Sequence, residues 1–225
     1  MSSLAEQVAA AGLADRLLSE RQLGDLLGGG DARRYGLVNR ALKDGSLLRV
    51  KRGTYLLGRR YRSETAHPFA IAQGLVPGSY VSFESALAHH GWIPEAVFVT
   101  ASVSPRRKTL RFETPDFGVF SFHPLAISDY QFLTGVDRVQ MGKLTAFVAQ
   151  PLRALLDLVA LRKEQWNGIG WLTDGMRIDT DMLFALRRKD FIKLKSVYKH
   201  KTVHAFFVEL ESAVMAARKE PPSDD

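Results

Sequence analysis

Over the first sixty residues the spacing of apolar positions changes several times. Leu23, Leu26 and Leu27 follow Ser19-Glu-Arg-Gln22 at helical intervals. A Ser followed three residues later by Gln is capping-box spacing, so a short helix is predicted over residues 20–27. Gly28-Gly29-Gly30 breaks it, and Asp31 is placed to cap a second helix over residues 32–44 that ends at Gly45. At 100° per residue, Leu37, Val38, Ala41 and Leu42 share one face of that helix. Arg33, Gly36, Asn39, Arg40 and Lys43 share the other. The period then drops to two. Leu48 and Val50 point one way, Arg49 and Lys51 the other, Arg52-Gly53 turns, and Thr54-Tyr55-Leu56 returns. Two helices on a tight glycine turn, followed by a β-ribbon, predict a winged helix-turn-helix.

Beyond residue 62 the polar stretch "RSETAHP" marks a boundary. A short helix is expected over 68–74, a strand over 80–83, and a helix from Glu84 that Gly91 and Pro94 stop. Alternation predicts strands over 96–103, 107–113 and 117–123, with turns at "SPRR" and "TPDFG". Pro151 suits the first turn of a helix that carries Leu152, Leu155, Leu156 and Val159 inward. Residues 181–212 read as helical. The expected fold class is α+β: an N-terminal winged helix-turn-helix over 1–62, a mixed α/β C-terminal domain over 63–218, and a disordered tail over 219–225.

Charge sharpens this picture. The formal net charge is +7, but residues 1–62 hold 12 Lys/Arg against 6 Asp/Glu, while the other 163 hold 19 against 18. Residues 31–62 alone hold 10 bases and 2 acids. A surplus concentrated on one module predicts a face for a polyanion. Arg33, Arg34, Asn39, Arg40 and Lys43 on the second helix are the candidates to reach DNA, since Arg suits guanine edges and Asn suits adenine. Arg49, Lys51 and Arg52 on the ribbon are candidates for phosphates, with Arg59, Arg60 and Arg62 extending the charge past it. Tyr55 reads as a core residue or a phosphate hydrogen bond. A second basic cluster lies at Arg187, Arg188, Lys193, Lys195 and Lys199. It reads as a solvated helix face or as a further surface for DNA, RNA or an acidic partner.

The chain has no cysteine, which excludes disulfides and thiolate chemistry and fits a reducing, cytoplasmic setting. No signal peptide and no apolar run long enough for a bilayer are evident, so a soluble protein without a membrane partner is expected. His89-His90 are adjacent, and adjacent helical side chains point 100° apart, a poor chelate for one metal ion. Pro115-Asp116 has no downstream Asp-x-Lys or Glu-x-Lys and reads as a hairpin turn. No G-x-S-x-G, Walker-type or G-x-G-x-x-G motif is present. Neither catalysis nor a cofactor is expected.

Three stretches resemble the AbiEi family, the antitoxins and autoregulators of type IV (abortive-infection) toxin–antitoxin pairs. They are the helix-turn-helix leading into "DGSLLRVKRGTYLLG", the segment "YVSFESALAHHGWIPEAVFV", and "GKLTAFVAQPLRALLDLVAL". Within the middle one, Ser82, Ser85, Ala86, Leu87, His90 and Gly91 stand at the family's offsets. The likeness runs in order over roughly residues 15–210. Leu152 departs from the pattern, in which a Glu precedes Arg-Ala-Leu. The resemblance implies that the N-terminal module binds inverted repeats in double-stranded operator DNA and represses its own operon. It also implies that the C-terminal domain counters a nucleotidyltransferase-like toxin without a stable complex. The alternative is a stand-alone regulator whose C-terminal domain senses a ligand, with Phe112, Phe117, Phe120, Phe122, Tyr130 and Phe132 as pocket candidates.

Overall fold

The computed structural model describes residues 3–218; the tail reading for 219–225 falls outside them. The chain is mixed α+β, with two sheets and two apolar cores among the described residues. It opens with helix α1 (Leu4–Ala10), closed by a capping box in which Ser3 and Glu6 satisfy each other's backbone N–H. Strand β1 (Leu18–Ser19) follows. Helix α2 (Glu20–Leu27) carries the predicted Ser19/Gln22 box, with Ser19 N donating to Gln22 Oε1 at 2.8 Å. Helix α3 (Asp31–Lys43) starts one residue earlier than predicted: Gly30 is its cap, and Asp31 is its first residue rather than its cap.

The ribbon consists of β2 (Leu47–Lys51) and β3 (Thr54–Leu57), and the first sheet has the order β1-β3-β2. The alternation in β3 sorts its side chains between two cores. Tyr55 and Leu57 join Leu4, Val8, Leu23, Leu27 and Ala41 beneath the helices, while Leu56 and Val50 join the core of the second lobe. The ribbon is therefore a shared wall, and the boundary at residue 62 is crossed by packing. The turn at Gly53 (φ +74°) is tied to α2, whose Glu20 N–H donates to the Gly53 carbonyl at 2.9 Å. A 3₁₀ turn, Arg59–Tyr61, leads out. Gly58 before it is obligatory, because a Cβ there would overlap the carbonyl oxygen of Gly45.

The second lobe is built on a six-stranded sheet. Helix α4 (Pro68–Leu75) precedes β4 (Tyr80–Val81), and helix α5 (Phe83–His89) begins where the sequence pattern had extended the strand. Strands β5 (Val99–Val103), β6 (Leu110–Thr114) and β7 (Gly118–His123) correspond to the three alternating runs, with β5 and β6 each starting three residues later than predicted. Strands β8 (Val136–Met141) and β9 (Leu144–Ala149) complete the order β6-β7-β5-β4-β9-β8, in which β4 pairs with β9 and β5 with β7 in parallel. Pro151 opens helix α6 (Pro151–Arg162) as predicted, and Leu152 is buried in its apolar face. The Pro115-Asp116 segment is a turn, held by Phe117 N donating to Thr114 Oγ1 at 3.1 Å.

Residues 181–212 are not one helical stretch. They form α7 (Thr180–Phe184), α8 (Arg188–Leu194) and α9 (Lys201–Ala217). The break between α8 and α9 has a tertiary cause: Tyr198 bridges to Ile127 in a β-bridge and sends its hydroxyl to Asp157.

That hydroxyl belongs to a polar knot inside the second core. Arg153 and Asp157, one turn apart on α6, are both 0% exposed and pair at 3.0 Å. Asp157 also accepts from Tyr80 (3.0 Å), Ser82 (2.6 Å) and Tyr198 (2.8 Å), and Arg153 donates to the Thr134 carbonyl (2.5 Å) and the Tyr80 hydroxyl. Burial and the Asp157 charge push both tyrosine hydroxyls far up, so they stay protonated donors. The knot joins β4, α6 and the α8–α9 link.

Candidate nucleic-acid interface

The glycine turn after α2 fixes the angle at which α3 leaves. Gly28 has φ +57° and Gly29 φ +73°, a left-handed run that residues with side chains resist. Two of the predicted DNA-binding residues brace this turn. Arg33 Nη1 donates to the Leu27 carbonyl at 3.0 Å, occupying an unpaired acceptor at the end of α2. Arg34 pairs with Asp31 and lies over Gly24, where a Cβ would stand 2.8 Å from its Nη1. The Arg33 guanidinium thus faces back into its own module rather than toward a groove, whereas Arg34, held by Asp31, lines the hollow between α2, α3 and the ribbon.

The remaining polar face of α3 is open. Arg40 and Lys43 are exposed, Asn39 is half-buried, and Tyr35 is 72% exposed. Tyr35 was not picked out by charge, although its position four residues before Asn39 puts it on the same face. Arg49 on β2 and Arg52 in the turn stand across from it. With Tyr35 and Asn39 they line one hollow of about 790 Å³ between α2, α3 and the ribbon. Asn39, Arg40, Lys43, Arg49 and Arg52 form no side-chain hydrogen bond or ion pair among the described residues. Three acids line the hollow: Asp31 is paired with Arg34, Asp25 lies 4.0 Å from Arg21, and Glu20 stands beside the ribbon turn at Gly53. Against Glu20, the unpaired Arg49 and Arg52 leave the hollow with a surplus of positive charge. Tyr55, opposite Arg49 in the ladder, is buried core.

The other predicted cations part company. A register shift between Arg49 and Lys51 turns Lys51 away from Arg49, and its Nζ donates to the Leu75 carbonyl at 2.6 Å. Burial, with the charge of Arg106, lowers the Lys51 pKa. Lys51 is a strut to α4 rather than a free phosphate ligand. Arg59 and Arg60 are exposed, but they sit at the base of the ribbon: β3 ends beside the start of β2, and the Asp44 carboxyl after α3 is lowered first by its hydrogen bonds with Ser46 and then by the charge of Arg60. They extend the charge from the ribbon's base toward the end of α3. Arg62 is turned inward with Nε and Nη1 buried, its pKa lowered first by burial and then by Arg59.

The second cluster is a separate surface on α8 and its flanks. Arg187, Arg188, Lys193, Lys195 and Lys199 are all exposed. Lys193 donates to Gln150 Oε1 (3.0 Å) and Lys199 pairs with Asp129 (2.8 Å), so their charge is partly engaged. His90 Nε2 lies 2.9 Å from the Ala149 carbonyl, which ties α5 to β9. The aromatics suggested as pocket walls go elsewhere: Phe120 and Phe122 are fully buried core and Tyr130 is fully exposed. An apolar cleft of about 610 Å³ lies instead beside Phe83, Ile93, Phe98, Leu161 and Met176.

No helix among the described residues is long and apolar enough to cross a membrane. No family model matches the sequence, and no curated protein matches it. The fold is similar to the crystal structure of the RV2827C protein from Mycobacterium tuberculosis, with a TM-score of 0.56 and 15% identity, over 99% of this chain and 83% of that one.

Proposed function

We propose that this chain is a winged-helix DNA-binding protein that represses its own operon and serves as the antitoxin of a type IV pair, opposing a nucleotidyltransferase-like toxin. The observation that carries the DNA half is the single hollow in which unpaired Arg49 and Arg52 face Tyr35 and Asn39 of α3. The helix–strand–helix–helix–ribbon order and the β1-β3-β2 sheet fit a winged helix, with α3 entering the major groove and the ribbon lying on phosphates. Free cations on a rigid scaffold release counterions when they meet a duplex, and that release drives association. The antitoxin half is supported by the sequence resemblance. Its "RALLD" stretch supplies Arg153 and Asp157, which hold the second core together.

The test is equilibrium binding of the full chain to DNA from upstream of its own coding sequence, beside random duplex, at stated salt. Preference for the upstream DNA supports autorepression; equal affinity for both contradicts it. A neighbouring reading frame encoding a nucleotidyltransferase, whose toxicity this chain relieves on co-expression, supports the antitoxin role. The apolar cleft beside Phe98, which is 88% exposed, favours the second reading, a stand-alone regulator whose second lobe takes a ligand.

A further inference from the structure

The connection between β5 and β6, residues 104–109, reads Ser-Pro-Arg-Arg-Lys-Thr: three consecutive cations and no acid. Its backbone is fixed. Ser104 is buried, its N–H donates to the His123 carbonyl at 2.9 Å, and its Oγ accepts from the Arg106 N–H at 3.1 Å. Pro105 covers Gly78, where a Cβ would stand 3.6 Å from its Cγ. Arg106, Arg107 and Lys108 are left exposed, with no side-chain hydrogen bond or ion pair among the described residues.

The position of this loop matters more than its composition. β6 runs beside β2, and Lys51 reaches the Leu75 carbonyl three residues before Gly78, so the loop flanks the ribbon on the side away from α3. The charge of Arg106 is felt at Lys51. Basic side chains from the two lobes, Lys51 and Arg106, are thus brought close enough to feel each other's charge. Such crowding costs Coulomb energy in the free protein, and a polyanion lying across both segments relieves it.

We propose that Arg106, Arg107 and Lys108 form a second phosphate clamp, contributed by the C-terminal lobe, which continues the ribbon's grip along duplex DNA. This rests on the DNA-binding reading above. The probe is a random-sequence duplex of about 40 base pairs, titrated with the full chain by fluorescence anisotropy between about 0.05 and 0.3 M salt. The variants are R106Q/R107Q/K108Q and, as a control on the ribbon, R49Q/R52Q. The clamp variant is expected to flatten the slope of log K against log salt by about 2–3 units and to weaken binding at least about tenfold near 0.1 M. If the wild type binds and the control flattens the slope, but the clamp variant matches the wild type, the clamp is refuted and the DNA-binding reading stands. If the wild type shows no salt-dependent binding, both fall. Equal thermal melting of variant and wild type excludes misfolding; should the triple variant melt lower, R107Q alone is expected to cost about one unit of slope, and no change overturns the clamp.

Discussion

Arg40 and Arg49 carry the same charge but have different duties. Arg40 projects from the exposed face of α3, where a bidentate contact to a base edge is within its chemistry; Arg49 stands on the ribbon. Arg40→Ala or Asn39→Ala is expected to narrow the gap between preferred and random DNA by about 1–3 kcal/mol, measured as a ratio of dissociation constants. Arg49→Ala with Arg52→Ala should weaken both DNAs alike and flatten the salt slope by about 2 units. Identical behaviour of the two sets would refute the division of roles. In the core, Asp157→Ala would leave the Arg153 guanidinium buried without its counter-charge, and a loss of about 3–5 kcal/mol in urea unfolding is expected. A loss under about 1 kcal/mol would mean that the knot holds little. Charge alone made Arg33, Arg34 and Lys51 look equivalent to Arg40 and Arg49. What sets Arg33 and Lys51 apart, a carbonyl left over at the end of α2 and one supplied by α4, lies outside any helical or strand spacing, while the Asp31 that engages Arg34 is a local i,i+3 partner.

Helices with a cap and a full apolar stripe were legible: α2 through Ser19 and Gln22, α6 through Pro151 and its leucines. The two-residue strand β1 is too short to show a period, and its place comes from pairing with β3; β4 was expected over 80–83 and is found there, cut short at Val81 because α5 starts at Phe83. The split between α8 and α9 was invisible because it answers to Ile127 and Asp157, each at least 41 residues from Tyr198. Two substitutions probe the elements that aim α3. Ser19→Ala removes the cap on α2 and should cost about 1 kcal/mol, measured by denaturant midpoint at constant slope. Gly58→Ala drives a methyl into Gly45 and should cost more than that cap.

The two lobes are joined through the shared ribbon and a small polar clasp. Val50 and Leu56 lie in the second core, so removing residues 1–62 strips that core of two apolar side chains. The fragment 63–218 is expected to melt below the intact chain; equal melting would show that the ribbon's inner face adds nothing. The sequence placed the boundary by the polar run after Arg62 and missed this wall, because alternation in β3 shows two faces but not that both are covered. In the clasp, Asp15 accepts from Ser63 N and Oγ at 2.8 Å each and from Lys143 at 3.0 Å. Burial opposes its charge, but the Ser63 and Lys143 hydrogen bonds outweigh it, and its carboxyl is held below the ordinary 3.8. A depressed carboxylate adds stability that is fully present above its ordinary value and lost as pH falls through the folded one. Asp15→Asn should therefore lower the melting temperature at neutral pH, with the difference shrinking as pH drops below about 4.

The most direct test of the central claim is the salt dependence of duplex binding by the full chain beside the variant R40A/R49A/R52A. The prediction is a straight, falling line of log K against log salt for the wild type, flattened by up to about 3 units in the variant, with its melting temperature unchanged. A wild-type line without slope, or a variant line that overlies it, would contradict the assignment of this face to DNA.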